Sequence, residues 1–274
     1  MATYLLNRPK IDRPKRRDLT PKLGYPCAMT VCISSICQEK KEQRLILCSD
    51  TRLVYTDIGS TNTTVKIDIL GYGFCVQLAG EWSGISYFSS LLKTKIQKSP
   101  HSLTDIKGVE SEVRSTISKF LGSSLYHGDE VYQMLLSGFI KGSAIIFDIS
   151  IIEGVAKLYL RDSFGAIGSG STIASILLRL REYHSSMPLP YATYLVYEAK
   201  RASEKEPTVG SYTTLAVQAP GPDMKDRAYL RIMGETGKAH LEAVYSGLWR
   251  IPFAEIPEFR DDFFIDPTAK QSPQ

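Results

Sequence analysis

The chain has 274 residues, which is enough for one sizeable domain or for two small ones. Its composition, 43% hydrophobic and 23% charged, is that of a globular protein and excludes a disordered or fibrous chain. The formal net charge of +4 is mild and much of it lies in the first 28 residues, so nucleic-acid binding is not expected.

Cysteine, histidine and hydropathy patterns favour a cytoplasmic protein without a metal. The five cysteines lie in the first third of the chain and form no C-x-x-C pair, which favours reduced thiols packed in strands. The four histidines are scattered without ligand spacing, and no metal or organic cofactor is expected. No apolar run approaches the roughly 18–20 residues of a membrane helix, and no signal-peptide core is present, so no membrane partner is expected.

The first half of the chain predicts strands followed by helices. Residues 1–28 contain four prolines among basic residues and predict an irregular extension. Strands are predicted at residues 29–37, 45–49, 63–70 and 74–78, forming two hairpins with apolar runs typical of strands buried on both faces. Helices follow at residues 85–96 and 111–121, the first with apolar residues at every third or fourth position.

The second half repeats this order. Strands are predicted at residues 134–140, 144–151 and 156–161, helices at 171–183 and 191–203, strands at 212–218 and 227–232, and a last helix at 236–246. Such segregated groups favour an α+β fold in which two sheets lie between two helix layers. We expect one domain at residues 29–250 and a polar C-terminal tail at residues 251–274.

Four short segments carry residue types suited to chemistry. Thr30 begins the first strand, Asp50 ends the second, Lys66 stands within an apolar run, and a Gly-Ser-Gly turn centred on Ser169 leads into a helix. Taken singly, these have ordinary explanations: a strand-end ion pair, an edge lysine and a helix N-cap. The glycine turn lacks both a third glycine and a Walker lysine, so phosphate binding is not expected.

Together these segments resemble the proteasome β subunits of the N-terminal-nucleophile (Ntn) hydrolase superfamily. The resemblance rests on four motifs in order. They are Asp50-x-Arg52, then Lys66, which lies 16 positions after Asp50 and directly precedes an apolar residue, then Ala79-Gly80, and last the Gly-Ser-Gly turn. Residues 29–37 also resemble the start of small bacterial proteasome-like proteins, in which threonine follows the initiator methionine. The resemblance covers about residues 29–246 and implies a four-layer αββα sandwich.

The resemblance also implies an active site. Thr30 would be the nucleophile and its free α-amine the base, Lys66 the neighbouring cation, Asp50 the partner of Lys66, and the Gly80 N–H an oxyanion donor. Ser169 would bond near the amine and hydroxyl, and Glu206 stands where the family has an aspartate. An apolar substrate pocket is implied at Leu53, Val54, Thr64 and Leu78, although a core position is an equal alternative for Leu78.

Two departures from the family pattern bear on activity. Val209 stands where the family has a serine, and valine forms no side-chain hydrogen bond. Met29 precedes Thr30 where family precursors have glycine. Either translation begins at Met29, or residues 1–28 are a real extension that acts as a propeptide or blocks the site. The mechanism requires that Thr30 be exposed as the N-terminal residue.

The resemblance predicts a threonine-type peptidase that acts on peptides or unfolded proteins within a self-assembled homo-oligomeric ring; whether an ATPase partner exists is left open. Two alternatives remain. One is a non-catalytic proteasome-like ring or scaffold subunit, and the other is an Ntn amidase on small molecules, with Thr30 or a cysteine as the nucleophile.

Overall fold

The computed structural model describes residues 30–51, 53–55, 59–61, 66–221, 229–247 and 264–265. Within these ranges it contains thirteen β-strands, five α-helices and one short 3-10 helix. The predicted extension at residues 1–28 and most of the predicted tail at residues 251–274 lie outside the described residues.

The first half of the described chain runs from strands into a pair of helices. Its elements are β1 (Cys32–Glu39), β2 (Glu42–Asp50), β3 (Leu53–Tyr55), β4 (Gly59–Thr61), β5 (Ile67–Gly71), β6 (Phe74–Gly80), α1 (Trp82–Lys98), a 3-10 helix (Pro100–Thr104) and α2 (Ile106–Leu121). The short pair β3 and β4 was not predicted. Lys66, predicted inside a strand, directly precedes β5.

The second half repeats strands and helices. Its elements are β7 (Val131–Ile140), β8 (Ser143–Ile152), β9 (Val155–Arg161), β10 (Phe164–Ile167), α3 (Ser171–Leu180), α4 (Leu189–Ser203), β11 (Thr213–Ala219), β12 (Tyr229–Met233), α5 (Glu235–Gly247) and β13 (Phe264–Ile265). β10 was missed because it is four residues long and adjoins a glycine-rich turn. Pairing with β1 is what makes it a strand.

Two antiparallel sheets form the centre of this mixed α+β fold. One has six strands in the order β10-β1-β2-β11-β12-β13, and the other has five in the order β5-β6-β7-β8-β9. Every neighbouring pair in both sheets is antiparallel. Hairpin connections account for most of these pairs, which agrees with the predicted runs of consecutive strands.

Apolar side chains pack on both faces of each sheet. On one face of the six-stranded sheet, Ile33, Cys48 and Leu215 join a core with side chains of α3 and α4. On one face of the five-stranded sheet, Val76 and Met134 join a core with side chains of α1 and α2. A third set packs between the two sheets and includes Cys32, Ile36, Leu45, Ala79, Leu135, Phe139 and Ile146. Burial on both faces explains why the strands lack clear polar–apolar alternation.

Strand register brings distant segments together at one end of the six-stranded sheet. Cys32 pairs with Ser49 on one side and with Ile167 on the other, and Thr213 pairs with Asp50. Residues just before β1, at the end of β2, just after β10 and just before β11 therefore lie at the same sheet end. This end holds the candidate site.

Candidate active site

Thr30, Asp50 and Lys66 form a hydrogen-bonded triangle. The ammonium of Lys66 donates to Thr30 Oγ1 at 2.5 Å and to Asp50 Oδ1 at 2.7 Å. The Thr30 hydroxyl also donates to Asp50 Oδ1. A hydroxyl, a cation and a carboxylate from three separate strand ends thus converge within hydrogen-bonding distance.

The carboxylate of Asp50 has donors on both oxygens although it is fully buried. Besides Lys66 and Thr30, Oδ1 accepts a long bond from Val31 N at 3.4 Å. Oδ2 accepts the backbone N–H of Gly210 at 2.8 Å. A buried charge pair is tolerated when its remaining lone pairs are satisfied in this way.

The turn around Ser169 forms hydrogen bonds with the backbone of Thr30. Thr30 N donates to Ser169 Oγ at 3.3 Å, and Thr30 O accepts from Gly170 N at 3.1 Å. Gly168 has φ of +88°, and a Cβ added there would lie 2.3 Å from Thr30 O, so glycine is required both by conformation and by space. Gln133 Oε1, from the other sheet, accepts Gly168 N at 2.9 Å and holds the turn.

Among the described residues, Glu206 connects to this cluster through Thr208, which the sequence analysis did not single out. Thr208 Oγ1 donates to Glu206 Oε1 at 3.2 Å and lies 2.7 Å from Ser169 Oγ. Its signal was visible as a hydroxyl residue one position before Val209, the expected serine position. The loss of that serine does not leave the segment without a hydroxyl.

Val209 has a packing role instead. Its side chain is buried in the core beneath α3 and α4, together with Val31, Ala199 and Leu215. The Val209 side chain thus faces the core, while the hydroxyl near Ser169 comes from the preceding residue, Thr208.

Gly80 lies at the end of β6 but forms no hydrogen bond with Thr30 among the described residues. Its φ is +139°, and an added Cβ would lie 2.4 Å from Val131 O. Nearby in β6, Leu78 O accepts the Cys32 thiol at 3.6 Å, and Ala79 packs with Cys32 between the sheets. This end of β6 thus adjoins the start of β1, and the oxyanion role of Gly80 stays a prediction.

The predicted substrate pocket is only partly described. Leu53 and Val54 lie in β3, whose side chains, like the whole of Thr64, lie outside the described part of the chain. The Leu78 side chain is buried and packs with Ile85 and Phe88 of α1 in the core of the five-stranded sheet. Of the two alternatives for Leu78, the packing supports the core position.

The cysteine near the site is chemically quiet. Cys32 lies two residues from Thr30, and burial raises the pKa of its thiol from 9.0 to about 12, against the opposing charge of Lys66. Since the thiolate is the nucleophile, such a thiol reacts poorly near neutral pH. Of Cys32 and Thr30, Thr30 is the better placed nucleophile.

No group of three histidine, cysteine or acidic side chains in the described ranges is placed to hold a metal ion. In the same ranges, no helix is long and apolar enough to cross a membrane. No protein-family model matches the chain, and comparison with curated proteins gives no match. The residues of the site themselves are therefore the basis for inferring its chemistry.

The arrangement suits activation of a hydroxyl nucleophile. A cation 2.5 Å from Thr30 Oγ1 stabilises negative charge that develops on this oxygen during attack. Ser169 places a hydroxyl beside the Thr30 backbone nitrogen, where a base could be oriented, and Thr208 Oγ1 lies within hydrogen-bonding distance of that hydroxyl. These features fit nucleophilic catalysis by Thr30, with Lys66 as electrostatic stabiliser and Asp50 as the group that positions Lys66.

Proposed function

We propose that this protein is a threonine-type Ntn hydrolase that cleaves peptide bonds, with Thr30 as its nucleophile. The observation that carries the proposal is the position of Lys66 Nζ, which bonds at once to Thr30 Oγ1 and Asp50 Oδ1. A buried ammonium is costly unless a negative charge lies beside it. In this position the ammonium can also stabilise the negative charge that develops on Oγ1 during attack.

In the proposed mechanism Thr30 supplies both nucleophile and base. Oγ1 attacks the scissile carbonyl while its proton passes to the α-amine, which is free only once the chain begins at Thr30. The carbon–nitrogen bond breaks as the leaving amine takes up that proton, and an ester to Thr30 remains. Water then cleaves the ester and restores the hydroxyl. Ser169 orients the amine, and Gly80 N–H donates to the oxyanion.

The fold is consistent with this proposal. Two antiparallel sheets packed together, with α1 and α2 on one side and α3 and α4 on the other, support the proposed αββα sandwich, the fold that the resemblance to Ntn hydrolases implies. By the same resemblance we propose a homo-oligomeric ring in the cytoplasm that encloses its sites and takes peptide or unfolded-protein substrates. An Ntn amidase on small molecules would use the same Thr30, so peptide substrates distinguish the two.

The test begins with the N-terminus. Chains that start at Met1 and at Met29 should be expressed separately, sequenced, weighed intact and treated with a peptide epoxyketone. This reagent reacts with both Oγ1 and the α-amine of an N-terminal threonine, so we expect labelling of Thr30 only in chains that begin there.

Two variants complete the design. Thr30→Ala should abolish labelling, whereas Thr30→Ser should retain it because serine keeps a hydroxyl beside the amine. A correctly folded chain that begins at Thr30 but neither reacts with the reagent nor cleaves any peptide library would overturn the proposal.

One observation favours a second candidate, a non-catalytic ring subunit. Thr30 is only 2% exposed, and a substrate must reach its hydroxyl. If the chain keeps residues 1–29 and still assembles into rings without labelling, the protein is a structural subunit or a zymogen. Native mass spectrometry of both chains separates assembly from activity.

A further inference from the structure

A second buried lysine lies behind the candidate site. Lys200, on α4, is 0% exposed, and its ammonium donates to Ser211 O at 2.8 Å and to a carboxylate oxygen of Glu204. Nothing in the mechanism proposed above uses it. A fully buried ammonium is costly to desolvate, and replacing such groups by apolar residues often stabilises a protein. Its presence therefore calls for a specific role.

Lys200 forms a hydrogen bond with the backbone segment that contacts Asp50. Ser211, whose carbonyl accepts the ammonium, directly follows Gly210, whose N–H donates to Asp50 Oδ2 at 2.8 Å. Two residues further on, Thr213 pairs with Asp50 across β11 and β2. The Ser211 carbonyl that accepts from Lys200 thus lies in the residue next to Gly210, whose N–H donates to Asp50 Oδ2.

The pKa of Lys200 reflects both its burial and the charged groups near it. Burial lowers the pKa of Lys200, and Glu204, Cys48 and Asp50 oppose this decrease. Glu204 lies one turn along from Lys200, beyond the end of α4, and Cys48 and Asp50 lie on β2, against which α4 packs. The positive charge of Lys200 thus lies within electrostatic range of the Asp50 carboxylate.

α4 also forms a hydrogen bond with the Gly168–Gly170 turn beside Thr30. Ser203, one turn after Lys200, donates to Gly170 O at 3.1 Å and so attaches the helix to the turn that clasps Thr30. Lys200 and Ser203 therefore connect one helix to both backbone segments that surround Thr30 and Asp50. A helix is a rigid support for such contacts.

We propose that Lys200 is a positioning residue that fixes the Gly210–Ser211 backbone and thereby the orientation of Asp50. Its consequence for catalysis rests on the proposed hydrolase function; its structural consequence does not. Lys200 acts through Asp50 on Lys66 and never touches the substrate. Removing its ammonium lets the Gly210 amide move away from Asp50 Oδ2, so that Lys66 is held less well beside Thr30 Oγ1.

The amide of Gly210 reports this directly. Val209-Gly210 is the only Val-Gly pair in the sequence, so labelling with carbonyl-¹³C valine and ¹⁵N glycine selects a single NMR resonance. An amide bonded to a carboxylate is shifted downfield, and Asp50→Asn provides the reference position without that charge. We expect Lys200→Met to move the resonance toward the Asp50→Asn position.

A matched control comes from the same helix. Thr193 is equally buried on α4, and its hydroxyl donates within the helix, to Leu189 O. Thr193→Val should leave the Gly210 resonance in place and should leave epoxyketone labelling unchanged. A general loosening of α4 would move both variants alike, and that result would overturn the proposal.

Labelling kinetics test the catalytic arm. In chains that begin at Thr30 we expect Lys200→Met to lower kinact by about ten- to a hundredfold while KI stays constant, because positioning of the reacting groups is lost and reagent binding is not. If wild-type chains do not label at all, the hydrolase proposal fails while the Gly210 resonance still tests the role of Lys200.

Lys200→Gln covers the case in which the methionine variant does not fold. Its amide retains a donor for Ser211 O but carries no charge, so an intermediate resonance position and an intermediate kinact are expected. A folded Lys200→Gln or Lys200→Met protein with an unmoved Gly210 resonance and wild-type kinact would overturn the proposal.

Discussion

The ammonium of Lys66 lies 2.7 Å from Asp50 Oδ1, with the two side chains only 3% and 0% exposed. The pair joins the two sheets, since Asp50 ends β2 of the six-stranded sheet and Lys66 directly precedes β5 of the other. The same contact thus contributes to stability and fixes the cation beside Thr30.

Lys66→Met should destabilise the fold as well as abolish labelling. It leaves the Asp50 carboxylate buried without its counter-ion, which costs about 3–5 kcal/mol of unfolding free energy. Lys93→Met is the matched control, because the ion pair of Lys93 with Asp68 is about 40% exposed and contributes about 0–1 kcal/mol. Urea unfolding measures both, and equal losses would contradict the buried-pair account.

Substitutions at Thr208 and at Val209 should affect different properties, the labelling rate and the stability. Thr208→Val removes the hydroxyl between Ser169 and Glu206, and we expect labelling of Thr30 to slow by about tenfold, the rate equivalent of one hydrogen bond. Val209→Ser introduces the serine that the proteasome β-subunit pattern has there but puts a hydroxyl into the core, so it should cost about 1–3 kcal/mol and should not increase the rate. Faster labelling by Val209→Ser would show that the serine position faces the site.

Two glycines with similar φ angles allow the cost of backbone strain to be distinguished from the cost of a steric clash. Gly142→Ala, at φ of +82° with open space around it, should cost about 1–2 kcal/mol. Gly168→Ala, at φ of +88°, adds a Cβ 2.3 Å from Thr30 O and should cost about 1–3 kcal/mol more, with loss of labelling. Thermal unfolding and labelling rates measure these effects; equal stability losses would mean that Thr30 shifts without penalty.

Buried thiols should make the protein lose stability at high pH. Burial, together with Asp68, raises the pKa of Cys75 from 9.0 to about 12. Below pH 9 the thiol is neutral in both states; between pH 9 and about 12 only the unfolded chain ionises, so unfolding becomes easier. Each such thiol adds about 1.4 kcal/mol of lost stability per pH unit in this range.

Urea unfolding at pH 8 and pH 10.5 tests this thiol effect. Cys75→Ala should lose less stability over that interval than the wild type, because one titrating group is gone. Val76→Ala, on the same strand and equally buried, removes volume but no titrating group and should keep the wild-type dependence. An unchanged dependence in Cys75→Ala would show that Cys75 ionises as readily when folded.

Sequence patterns predicted many of the elements but not their short neighbours. Apolar runs of five or more residues predicted β1, β2 and β6 to β8, because β-branched and apolar residues favour a buried strand wherever it pairs. β10 and β13, with four and two residues, carry no such pattern and depend on pairing with β1 and β12. The resemblance to proteasome β subunits likewise indicated Thr30, Asp50, Lys66 and Ser169 as a set.

The sequence by itself determined which residue types stand at the strand ends and helix starts, because backbone propensity and hydrophobic period are local properties. The resemblance implied that Lys66 and Ser169 lie near Thr30, but only the tertiary structure decided which atoms bond: Lys66 Nζ to Thr30 Oγ1 across 36 positions, and Thr30 N to Ser169 Oγ across 139. It also decided that Thr208 rather than Val209 supplies the hydroxyl, and that Lys200 stands behind Asp50. Such contacts depend on sheet register and helix packing, which are determined by the burial of the whole core rather than by any single segment.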